Sequence, residues 1–182
     1  MDKKLIASVG VLLILFQSFG QTTSKIAIDF SSYGVKMLYD KAAPDNSQFF
    51  WLNKYLPMGI GAEVSTYYHN HSGFSPQLDL SFTGFSYNYY SFRNDSWRKN
   101  NTLNIFLGPS YHFTNNLSLS YTVGISIMSS QECFGMKPEI KYSFGKNNKV
   151  KIKLSFTNIF PKYDGEVEPF GYLGLGIGYR LF

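Results

Sequence analysis

The last thirteen residues, Phe170 to Phe182, set Leu173, Leu175, Ile177, Tyr179 and Leu181 in strict alternation with Gly174, Gly176, Gly178 and Arg180. Period-two alternation is a strand signal, and here one face is greasy while the other is nearly bare. The sequence shows no later element to cover the free edge of this strand, and an uncovered apolar edge is a site of aggregation. Pairing it with the first strand removes the edge. The feature predicts a sheet closed on itself inside a membrane, with every other element arranged to permit that closure.

Residues 1–20 set the compartment. A short charged start with Lys3 and Lys4 precedes the apolar run Val11 to Phe16, and Ser18 and Gly20 follow as the small residues of a cleavage site. The stretch reads as a secretory signal peptide cut before Gln21, which leaves 21–182 as a single domain. Removing Asp2, Lys3 and Lys4 lowers the net charge from +5 to +4. No later stretch has the 18 or so consecutive apolar residues of a transmembrane helix. Cys133 is the one cysteine, so the chain forms no internal disulfide and has no cysteine at the cleavage point to carry a lipid anchor.

Aromatic residues make up 18% of the chain, with 14 Tyr and 17 Phe, and they are interleaved with Gly and polar residues. Strands that turn one residue to lipid and the next to a polar interior average out near zero, as the mean hydropathy of -0.14 does. Alternating segments fall at about 25–39, 58–69, 74–92, 102–113, 117–129, 136–144, 149–160 and 170–182. Each is near or above the roughly 9 to 11 residues of a tilted membrane strand. The connections 40–57, 93–101, 130–135 and 161–169 are long, whereas 70–73, 114–116 and 145–148 are short. Long outer loops over short periplasmic turns are the asymmetry of membrane barrels.

The hairpin through Thr114, Asn115 and Asn116 gives the register. It pairs Phe113 with Leu117 and, on the inner face, Phe106 with Gly124, and an Asn in the left-handed conformation suits the turn. Pro109 removes a ladder donor and predicts a local bulge. In the first strand Ile26, Ile28 and Phe30 change parity to Tyr33, Val35 and Met37, which predicts a bulge near Ser31 and Ser32, and the third strand predicts a similar switch near Thr83 and Gly84.

A signal peptide, eight alternating strands, short turns and a terminal aromatic together resemble the small outer-membrane β-barrels of the OmpX and OmpA transmembrane-domain kind. The resemblance covers 21–182 as a pattern rather than a motif. It implies an eight-stranded antiparallel up-and-down barrel in the bacterial outer membrane, and it implies that Tyr179 and Phe182 belong to the signal read by the barrel-assembly machinery. Phe182 departs from the pattern, because it is out of phase with the lipid-facing Leu181, Tyr179 and Ile177.

By parity, Asp29, Lys36, Glu63, Asp79, Lys137, Glu139, Lys141, Lys151, Lys153 and Arg180 point into the lumen. Isolated charges there are costly to desolvate, so they pair or keep water. The structural reading is an ion-pair network that plugs the barrel. The functional one is a narrow anion-preferring pore, which eight strands disfavour, since open channels take about 16. Gly174, Gly176 and Gly178 leave room for the stems of Lys151 and Lys153.

His69, His71 and His112 fall at the short-turn ends, with no third ligand for a metal beside the first two. A lipid A deacylase or palmitoyltransferase places a His and a Ser at the outer rim, because its substrate lies in the outer leaflet. Ser155, Phe156, Thr157 and Asn158 resemble the deacylase stretch but hold Ser155 where the base belongs. The sequence therefore supplies no catalytic, cofactor or metal residues. Its distinctive outer feature is aromatic: Phe49, Phe50, Trp51 and Tyr55 in the first outer loop, and Trp97 in the second. They read as a headgroup girdle or as a docking site. The sequence favours a structural or interaction role in the envelope, with the lipid-modifying enzyme and the pore as alternatives. The expected partners are outer-membrane lipid and lipopolysaccharide, the assembly machinery during insertion, and another outer-membrane or surface protein. Nucleic acid is excluded, because the lysines sit at alternating positions of an exported chain.

Overall fold

A computed structural model describes residues 26–40, 58–68, 73–85, 101–128, 131–145, 148–163, 165–167 and 169–181. Its long strands are β1 (Ile26–Asp40), β2 (Met58–Tyr68), β3 (Phe74–Phe85), β4 (Asn101–His112), β5 (Leu117–Met128), β6 (Gln131–Phe144), β7 (Val150–Phe160) and, after a small hairpin of β8 (Lys162–Tyr163) and β9 (Glu166–Val167), β10 (Phe170–Arg180). The wall closes in the order β1-β10-β7-β6-β5-β4-β3-β2. The last long strand thus returns to the first, with Asp29 opposite Arg180 and Asp40 opposite Phe170.

Burial follows parity and is inverted relative to a soluble protein. On β4, Leu103, Ile105 and Leu107 are 44, 43 and 60% exposed, whereas Thr102, Asn104 and Phe106 between them are 1, 1 and 0%. The same outward stripe runs through Leu119, Tyr121, Val123 and Ile125 on β5, Ile152 and Leu154 on β7, and Leu175 and Ile177 on β10. So continuous an apolar belt around a closed wall is a lipid-facing surface. At the short-turn end it finishes in Tyr68, Phe74, Tyr111, Phe113, Tyr142 and Tyr179, all exposed, with Tyr111 centred 4.8 Å from both Phe74 and Phe113.

The Thr114–Asn116 hairpin pairs as its spacing predicts: the Phe113 amide donates to the Leu117 carbonyl at 3.0 Å, and Phe106 lies opposite Gly124. The turn is held differently, however. Thr114 Oγ1 accepts from the amides of Asn116 and Leu117, so a side chain does the work expected of a left-handed Asn. The left-handed asparagine is Asn148 in the next turn, with φ 54°.

Several expected irregularities are absent or displaced. The β1 register runs unbroken from Asp29 to Met37, and its one shift falls between Met37 and Tyr39. No bulge exists at Ser31–Ser32, so Tyr33, Val35 and Met37 turn inward and Lys36 turns out of the lumen. The physical reason is volume: a Cβ on Gly61 would lie 2.3 Å from the Tyr33 ring and one on Gly176 2.6 Å from its Cβ. The glycines opposite leave a space that only a large inward side chain fills. The glycine face of β10 is accordingly occupied by Tyr33, Ser31 and Ser155 as well as Lys151, rather than by lysine stems alone.

Likewise β3 keeps its register through Phe85, which turns inward instead of switching faces. Pro109 interrupts the ladder to β5 without shifting it, because Leu107–Val123 and Ser110–Ser120 keep one register. Strand β6 starts at Gln131, so only 129–130 separate it from β5 and the third outer connection is short. Near Arg180 there is no bulge: the Leu181 amide donates to the Ile28 carbonyl at 2.8 Å, and Leu181 stays exposed. Phe182 and the expected signal peptide lie outside the described residues.

Candidate functional site: the barrel interior

The inward positions sort by height. At the end carrying the long connections the lumen is apolar, with Tyr33, Val35, Met37, Met128, Cys133, Ile159, Phe170 and Tyr172 packed together and Phe85 against them. The Phe85 and Tyr172 rings meet edge to face at 5.3 Å. Below, the Tyr33 hydroxyl and Thr83 Oγ1 share a hydrogen bond of 2.9 Å, and Asn104 Nδ2 donates to Tyr172 and Ser81.

The middle of the lumen holds a charged knot. Lys137 Nζ lies 2.7 Å from both Glu63 and Asp79 and 3.5 Å from Glu139. Lys153 reaches Glu63 at 2.7 Å and Lys141 reaches Glu139 at 2.9 Å. Gln77 and Thr122 supply further donors to Asp79. Carboxylate oxygens of Glu63, Asp79 and Glu139 come within 4.8 Å of one another, close enough to hold a cation, and the Lys137 ammonium fills that place. Three carboxylates face three ammoniums here, all buried, so each charge is compensated locally.

Nearer the short turns lies a second cluster. Tyr67 donates to Asp29 Oδ2 at 2.6 Å, Lys151 Nζ donates to both Asp29 and the Tyr67 hydroxyl, and Arg180 reaches Tyr67 with one end and Asp29 Oδ1 at 3.5 Å with Nε. Lys151 and Arg180 also lie over the Tyr67 ring, 4.7 and 5.5 Å from its centroid. Beneath the cluster is a cavity of about 260 Å³ lined by His112, Thr114, Ser118, Ser143, Asn148, Lys151 and Arg180 among others.

No family model matches the chain, and no curated protein matches it by sequence. Solved structures do. Neisserial surface protein A superposes with a TM-score of 0.51 at 10% identity, over 86% of this chain and 97% of that one. The Yersinia pestis outer membrane protein Ail gives 0.49 at 17%, over 85% and 99%, and a designed transmembrane β-barrel gives 0.47 at 11%, over 87% and 97%. The chain has the fold of the small bacterial outer-membrane β-barrels.

Barrels of that kind turn their short turns to the periplasm; on that expectation the apolar half of the lumen faces outward and the Asp29 cluster sits at the periplasmic mouth. Of the inward charges read from the sequence, the structure brings together Asp29, Lys151 and Arg180, and separately Glu63, Asp79, Lys137, Glu139, Lys141 and Lys153. Lys36 joins neither, because it stands on the outward face of β1 opposite Met58 and Leu173. Tyr67, the hub of the mouth cluster, is missed by a reading of charges alone, although it follows Glu63 and Ser65 at strict alternation on β2. The outer aromatics Phe49, Phe50, Trp51, Tyr55 and Trp97 lie outside the described residues, as do His69 and His71. Tyr179 is outward in the aromatic rim, with Lys149 Nζ 6.0 Å from its ring centroid.

Proposed function

We propose that this protein is exported by its first 20 residues and serves the outer membrane as a plugged barrel, a structural or docking component of the envelope rather than a conduit. The observation that carries the reading is the charged knot, in which side chains from β2, β3, β6 and β7 meet at one level of the lumen. An anion pathway needs cations that are not already committed to carboxylates, and Lys137 and Lys153 are committed. In the deacylase-like stretch the enzyme alternative has no base and no accessible hydroxyl: Ser155, which stands where the base belongs, is buried in the lumen beside Gly174, and Thr157 is buried as well, away from any outer-leaflet lipid.

Planar-bilayer recording of the refolded barrel tests the plug, and no steady unitary current is expected. A regular conductance of fixed size would make the pore reading the right one. The docking role rests on Phe49, Phe50, Trp51, Tyr55 and Trp97, aromatic residues of the kind that anchor protein interfaces. Crosslinking in native membranes should capture a reproducible outer-membrane or surface partner. Phe50→Ser with Trp51→Ser should abolish that capture while heat-modifiable folding persists; loss of folding instead would assign these aromatics to the girdle.

A further inference from the structure

The buried charges do not balance evenly along the barrel. In the central knot Glu63, Asp79 and Glu139 are matched by Lys137, Lys141 and Lys153. At the periplasmic mouth a single carboxylate, Asp29, serves both Lys151 and Arg180. Its Oδ2 already takes the Tyr67 hydroxyl and the Lys151 ammonium, and its Oδ1 faces Arg180. One positive charge is left over among the described lumen residues, and it does not lie in bulk water: the side chains of Lys151 and Arg180 are 5 and 23% exposed. An uncompensated cation in a partly desolvated place draws a counter-ion.

The left-over charge borders the polar cavity, to which both Lys151 and Arg180 contribute. Neutral donors complete the lining. Ser118 and Ser143 line it, and Thr114 Oγ1 already accepts two backbone amides, so its proton is available to donate outward. The rim is fixed rather than loose: Asn148 Nδ2 donates to the Asn115 carbonyl at 3.0 Å, the Ser143 amide to the Asn116 carbonyl at 2.7 Å, and the Arg180 amide to the Lys149 carbonyl at 2.7 Å. At about 260 Å³ the space is below the range of drug-sized ligand pockets, about 300 to 1,000 Å³, and suits a small ion with few waters.

We propose that the periplasmic mouth of the barrel is a binding site for one phosphate-sized oxyanion, held by Lys151 and Arg180 and hydrogen-bonded by the hydroxyls of Thr114, Ser118 and Ser143. The site opens to the periplasm and is closed toward the outside by the charged knot and the apolar half above it, so the anion enters and leaves by the same mouth. It is independent of the docking role and survives the failure of that role.

The test is titration of inorganic phosphate onto the full chain folded in nanodiscs of zwitterionic lipid at fixed ionic strength, followed by phosphorus NMR line broadening. Saturable binding of one phosphate is expected. Lys151→Met leaves Asp29 and Arg180 balanced and should abolish it. Asp29→Asn doubles the left-over charge and should tighten it about tenfold. Asp29→Asn with Lys151→Met restores a single positive charge and should bind within a few-fold of the parent. Each variant is checked for heat-modifiable folding, and if Lys151→Met does not fold, the other two still decide. Non-saturable broadening, or equal affinity in the parent and Asp29→Asn, overturns the proposal.

Discussion

The two halves of this lumen solve one problem with opposite chemistry. Toward the outside, Tyr33, Val35, Met37, Ile159, Phe170 and Tyr172 fill the barrel by shape. From mid-barrel to the short-turn end, Glu63, Asp79, Lys137, Glu139 and Lys153, and then Asp29, Lys151 and Arg180, fill it by charge. The wall around both is the same, so the difference lies wholly in what the inward positions carry. Shape-filling tolerates exchange of one apolar residue for another of like volume. Charge-filling does not, because removing one member strands its partners in a low-dielectric interior.

The sharpest break of this contrast is Lys137→Met, which leaves Glu63, Asp79 and Glu139 around an apolar tip. It should destabilise the barrel by about 3 to 5 kcal/mol, read as a lower urea midpoint in detergent. Adding Asp79→Asn removes a matched pair and leaves the remaining knot neutral, so the double variant should recover part of that loss. Next comes Ile159→Ala in the apolar half, expected at about 3 kcal/mol from lost burial and the cavity left behind, with no rescue from any charge change. Gly61→Ala forces a methyl into the Tyr33 ring and should cost about 1 to 3 kcal/mol, partly relieved in a Tyr33→Leu background, which separates overpacking from glycine-specific backbone effects. The smallest effect belongs to Tyr39→Phe, which removes the hydrogen bond to Asn158 on the outer face, at about 1 kcal/mol. If Ile159→Ala proved more damaging than Lys137→Met, the distinction between the halves would be wrong.

How much of this was legible depended on whether parity could be read locally. On β7 it could: Ile152 and Leu154 outside, Lys151 and Lys153 inside, with no neighbouring strand needed. The β4–β5 hairpin was equally plain, because its turn fixes the register. On β1 the apolar residues occur at both parities, and nothing within Ile26–Asp40 says which set belongs inside. That choice is made by Gly61 on β2 and Gly174 and Gly176 on β10, whose missing side chains make room for Tyr33. Misplacing Tyr33 also misplaced Lys36, since the two have opposite parity. The start of β6 was hidden because Gln131 and Glu132 carry no outward apolar rhythm before Phe134. Pairing was visible in the sequence wherever one strand sufficed to define it, and obscure where three strands jointly define a space.

Tyr33 also constrains how the chain can assemble. Its ring is enclosed by glycines of β2 and β10, and β10 lies at the far end of the chain from β1, at the seam where the wall closes. A partly built sheet has no socket for this ring, and it has no complete knot either, since Glu63 comes from β2 while Lys153 comes from β7. Interior packing and circumferential closure are therefore one cooperative step. The high sequence separation of those contacts makes that step the slow one in folding, and an arrested barrel should be an open sheet with an unpacked inner face rather than a half-filled cylinder.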